Sequence, residues 1–169
     1  MANTYTLIAS STVGAGGTTY IEFTSIPSTY TDLLLKVSVR ANGGSNTHEN
    51  YQLDFNGSGA NQSYRDIFGA NGNVSSGTTT NYINSFPAAN ATASTFSNAE
   101  WYIPNYTSSN YKPISMDNTS ENNGTNGQDT LVAGLWSSTS AITSIRINNY
   151  NGNNFAQYST AYLYGISNS

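Results

Sequence analysis

From Asp32 to Arg40 the chain alternates strictly: Leu33, Leu35, Val37 and Val39 fall on one side, and Leu34, Lys36, Ser38 and Arg40 on the other. Alternation with period two marks a half-buried strand, so one face is core and the opposite face is wet, with Leu34 the one residue there needing cover. The preceding "SIPSTYTD" supplies Pro27 and turn-forming side chains as the approach to that strand. Near the other end, "AYLYGI" puts Ala161 and Leu163 on one face and Tyr162, Tyr164 and Ile166 on the other. Both faces are partly apolar, which predicts a central or covered strand.

The same pattern predicts further strands at 5–10, 19–25, 51–56, 63–68, 81–86, 95–103, 113–118, 129–136, 142–149 and 156–165. Between them lie "GAGG", "NGGSN", "NGSG", "ANGN" (70–73), "NNGTNG" and "NGNN". Gly and Asn reach positive φ at low cost, so these read as turns and loops. Sustained i, i+3, i+4 apolar spacing is missing from every window, and no internal repeat stands out. The expectation is one domain over residues 1–169, all-β, an antiparallel β-sandwich of jelly-roll type.

Composition narrows the function. Charged residues make up 8% of the 169, the net charge is −4, and Asn, Ser, Thr, Gly and Tyr dominate. Solubility rests on neutral polar groups. The five cations, Lys36, Arg40, Arg65, Lys112 and Arg146, are scattered, which argues against a nucleic-acid partner. Zero cysteines exclude disulfides, Cys-ligated zinc and thiol catalysis. "MANTYTLIAS" lacks the charged and apolar regions of a secretory signal, and no apolar run approaches the ~20 residues of a membrane helix. A polar, Tyr-rich chain of this kind fits a protein made in a bacterial cytoplasm that meets the outside only on lysis.

Chemical motifs are sparse. His48, the single histidine, stands in "GSNTHENYQ", which reads as a solvated loop with no carboxylate set to orient an imidazole. Among nine acids, Glu100 beside Trp101 is the most suggestive of acid–base work on a glycosidic bond, because an aromatic wall raises a carboxyl pKa. The simpler reading is an outward charge on a strand whose Trp101 and Ile103 face inward. "DNTSENNGTNGQD", from Asp117 to Asp129, gathers oxygen ligands suited to calcium, yet its spacing is not that of an EF-hand, and a solvated loop is the simpler reading. No enzyme, metal or cofactor is expected. "EWYIPNYTSSNYKP" holds Trp101, Tyr102, Tyr106 and Tyr111, candidates for a binding platform that ordinary packing would also explain. Lys36 and Arg40 on the wet side of their strand, and Tyr162 and Tyr164, are candidate interface contacts.

"TLIAS", a Gly-rich turn, "IEFTSIPSTYTDLLLKVSVR", "YQLDFNG" with "YRDIFGANG", and the closing "STAYLYGIS" together resemble a group of small β-sandwich proteins of tailed phages, particularly those of cyanobacteria and aquatic bacteria. The group looks like capsid decoration (cement) proteins or related virion surface proteins. The resemblance implies a jelly-roll domain, trimeric, on the capsid surface where major capsid subunits meet, and carries no functional residues over. The expected function is a virion structural protein that stabilises the shell. The alternative is a tail-fibre tip or receptor-binding module recognising a host glycan.

Overall fold

The computed structural model describes residues 4–124 and 127–167. Thr125 and Asn126, within the "NNGTNG" stretch, lie outside the described residues, as do residues 1–3 and 168–169. The strands are β1 (Tyr5–Thr12), β2 (Tyr20–Phe23), β3 (Asp32–Ser38), β4 (His48–Phe55), β5 (Gln62–Ala70), β6 (Asn73–Thr79), β7 (Ile83–Pro87), β8 (Asn98–Ile103), β9 (Lys112–Ser120), β10 (Gln128–Trp136), β11 (Ile145–Asn149) and β12 (Thr160–Ile166). Every pairing is antiparallel. An eight-stranded sheet of order β1-β12-β3-β8-β9-β10-β5-β6 packs on a four-stranded sheet of order β2-β11-β4-β7. The chain is therefore an all-β sandwich. With β5, β6, β9 and β10 set aside, the orders β1-β12-β3-β8 and β2-β11-β4-β7 have the interleaving that two Greek keys produce. The four remaining strands widen the large sheet beyond β8.

Alternation builds the core from both inner faces. Leu33, Leu35 and Val37 of β3, Ala99, Trp101 and Ile103 of β8, and Ala161 and Leu163 of β12 face Tyr51, Leu53 and Phe55 of β4 and Ile145 and Ile147 of β11, all buried. Trp101 meets Tyr51 edge to face at 5.1 Å, and Tyr51 packs on Phe86 at 4.6 Å. Gly165 is small for a packing reason: a Cβ there would stand 2.2 Å from the Tyr30 ring.

Polar chains cross this core and fix the relation of the two sheets. Tyr51 Oη lies 2.6 Å from Ser97 Oγ and donates to Asn118 Oδ1 at 3.4 Å, and Asn118 Nδ2 donates to the Ser85 carbonyl at 2.7 Å. Burial drives the Tyr51 phenol pKa far above its ordinary range. A second link runs from Tyr64 Oη to Gln62 Oε1, with Gln62 Nε2 donating to the Leu53 carbonyl at 2.9 Å. Satisfied buried polar groups of this kind specify one arrangement of the layers.

The structure departs from the sequence expectation in one whole element. β6, "NVSSGTT", carries almost no apolar signal, and its outward positions are exposed. It forms because Asn71 and Gly72, at φ 54° and 76°, make a two-residue connection between Ala70 and Asn73, which pair directly. Positive φ at both central residues is the hairpin turn whose twist matches its flanking strands.

Candidate functional site

Two transverse rows define the outer surface of the large sheet. Direct cross-strand partners give Ser10, Tyr162, Lys36, Glu100, Asp117, Leu131, Ile67 and Ser76 in one row. The adjacent row is Leu7, Tyr164, Leu34, Tyr102, Ser115, Ala133, Arg65 and Thr78. Since these positions alternate with the core positions, all of them point away from the sandwich interior.

The face has three zones. On β1, β12, β3 and β8 lie Tyr5, Leu7, Tyr162, Tyr164 and Tyr102 around Leu34. In the middle, Lys36 Nζ contacts Glu100 Oε2 at 2.8 Å, and Asp117 stands opposite Glu100 on the next strand. That hydrogen bond and the Glu100 charge raise the Lys36 pKa, against a small opposing effect of burial. On β10, β5 and β6, Leu131 and Ile67 are paired directly and are 60% and 57% exposed, with Val74 beside them at 78%. Two open depressions of about 420 and 450 Å³ lie over this aliphatic zone.

The sequence-derived candidates separate. Lys36, Tyr102, Tyr162 and Tyr164 come together on this face. Tyr102 is anchored there by donating to Asp32 Oδ2 at 2.8 Å, and that hydrogen bond, with some burial, raises its pKa. Trp101 and Tyr106, each 0% exposed, belong to the core and present no surface, so the proposed aromatic platform is divided by the pleat of β8. Tyr111, exposed, lies just before β9 and away from the two rows. Arg40 falls beyond β3, and its guanidinium donates to the carbonyls of Ala89, Ala91, Thr92 and Thr95 and to Thr95 Oγ1, at 2.8–3.2 Å. It lashes the 88–95 loop to the sheet end instead of standing free on the wet face. Lys112, in the sequence one of five scattered cations, is fully buried, and its ammonium donates to the carbonyls of Ser108, Ser138 and Ser140. Burial lowers its pKa.

The weaker chemical candidates are also relocated. His48 opens β4 and is half-buried instead of lying in a solvated loop, and burial lowers its pKa while the Ser120 backbone opposes this. Its neighbour Glu49 is buried and accepts from Asn153 Nδ2 at 3.1 Å; burial raises its pKa. Asp117 and Asp129 sit within β9 and β10, so the two ends of the stretch read as one oxygen-rich loop are paired strand. Among the described residues no group of three or more His, Cys, Asp or Glu could hold a metal ion.

The aliphatic zone was missed, although Ile67 shares its parity with Arg65 and could have been placed outward on that ground. No family model matches the chain, and neither a curated protein nor a solved structure matches it.

Proposed function

We propose that this protein is a phage virion structural protein, a capsid decoration protein that binds the outer capsid lattice through the β10, β5 and β6 half of the large sheet's outer face and stabilises the shell. The observation that carries the reading is the Ile67, Leu131 and Val74 cluster, three branched aliphatic side chains held exposed on paired strands. Removing such a patch from water is favourable at about 25 cal/mol per Å² of apolar area, and a large exposed patch on a folded surface marks a contact site. The partner in this reading is the major capsid protein, and the protein itself is a trimer, as the phage resemblance implies. A decoration protein needs no turnover: a ligand that binds only the assembled lattice stabilises it by mass action.

The test mixes purified protein with expanded capsids that lack it. Saturable binding with a rise in capsid melting temperature is expected, at hundreds of copies per particle, a range the resemblance implies. Absence of binding removes the reading. The Ile67→Asp, Leu131→Asp double variant should lose binding while remaining folded.

A further inference from the structure

We propose that the depression bounded by Tyr5, Leu34, Lys36, Glu100 and Tyr164 binds a neutral hexopyranose unit of a glycan. The inference stands apart from capsid docking, because it uses the opposite half of the outer face. The depression holds about 400 Å³, at the lower end of the roughly 300–1,000 Å³ typical of small-ligand clefts.

Its lining matches the two-sided chemistry of a pyranose ring. Leu34, 7% exposed, gives an apolar floor, and the rings of Tyr5 and Tyr164 add aromatic surface with polar tips. The C–H groups on one face of a hexopyranose stack on such surface. At the end of the depression the Lys36–Glu100 pair is about half exposed, with side chains at 52% and 46%. An ammonium has three donors and a carboxylate about four acceptor sites, so the pair keeps bonding capacity beyond its own contact. A donor beside an acceptor suits neighbouring hydroxyls, each of which can do both. The phenols of Tyr5 and Tyr164 line the same depression as the ammonium.

The surroundings select against other ligand classes. The ion pair is neutral as a unit, and Asp117 stands next in the same row, so an anion such as a phosphate is repelled. A peptide adding as a strand needs a sheet edge, whereas the depression is floored by β3, which is paired on both sides. A second depression of about 210 Å³, lined by Lys36, Asn98, Glu100, Asp117 and Thr119, shares the ion pair from its other side. It supplies polar partners for the next sugar of a chain.

Saturation-transfer-difference NMR with the methyl glycosides of glucose, galactose and mannose, and with cellobiose and maltose, tests the site. At least one probe should receive saturation at its ring protons, with cellobiose or maltose binding more tightly than the matching monosaccharide. Tyr5→Ala and Glu100→Gln should each weaken binding about tenfold, the scale of one lost contact, with melting little changed because Tyr5 is exposed and a half-exposed ion pair adds little to stability. Lys36→Met, on the same surface, gives a third reading should either variant alter folding. No transfer from any probe at roughly 50 mM, far above a ~1 mM dissociation constant, overturns the proposal. So does transfer that all three variants leave intact.

Discussion

The sandwich has two outer surfaces made by one rule of alternation, and they differ in what they leave unpaired. On the small sheet, Glu22, Arg146 and Asp54 form a transverse row, followed by Tyr20, Asn148 and Gln52. Arg146 donates to Glu22 Oε1 at 3.1 Å and lies 4.3 Å from the Tyr20 ring centroid, so that face is engaged with itself. On the large sheet the same outward positions hold Ile67, Leu131, Val74, Leu7 and several tyrosines, whose apolar surface meets solvent. Folding does not require this, since Ser or Thr would serve the strands as well. The proposed capsid contact rests on this contrast, with the small face as the solvated one.

Four measurements bear on that contrast, the largest effect first. Trp101→Ala empties the centre of the shared core and should cost about 3–5 kcal/mol, read by denaturant unfolding, with both faces lost together. A loss below ~1 kcal/mol would mean that the layers are not coupled through Trp101. Next, Lys112→Met leaves three part-buried carbonyls without their ammonium and should cost about 1–3 kcal/mol, lowering the melting temperature without touching either face. Smaller again is a pH effect at the end of the small sheet. Because the folded-state pKa of His48 lies below its unfolded value, the unfolded chain takes up a proton first as pH falls through about 6.5, and stability drops. Glu49, with a raised pKa, acts in the opposite direction. His48→Gln should therefore remove a stability loss on acidification between pH 7.5 and 5.5, seen by comparing melting curves; identical pH profiles would refute the assignment. Finally, Glu22→Gln should change stability by no more than about 1 kcal/mol, as for partly exposed ion pairs, and leave the proposed capsid binding unaltered. Lost capsid binding in that variant would reverse the assignment of faces.

Much of this was legible along the chain where one face is apolar and the other polar. β3 and β8 show it: Leu33, Leu35, Trp101 and Ile103 fall inward as their alternation requires. β12 was legible as central, and it lies between β1 and β3. Where alternation carries no contrast the reading failed. β6 is polar on both sides, and its one signal was the Asn71-Gly72 turn. β10, "QDTLVAGLW", is apolar on both sides, so Leu131 could not be told from Val132. The candidate sites depend on register between strands far apart in sequence. Tyr5, Lys36, Glu100 and Tyr164 come from four strands, and the carbonyls that hold Arg40 lie about fifty residues further on. Hydrophobic period gives a strand its faces but not its neighbours.

The position of β12 also sets an order of events during folding. The last strand of the fold inserts between the first and the third, pairing with β1 on one side and β3 on the other. Until it arrives, β3 presents an open edge with Leu33 and Leu35 along it, and β1 has no partner in the sheet. Docking of β1 must therefore wait until β12 has left the ribosome, and the large sheet closes only after synthesis of nearly the whole fold. A chain with such long-range closure folds slowly and exposes strand edges meanwhile. Truncation before β12 should consequently yield an aggregating product instead of a smaller stable sandwich.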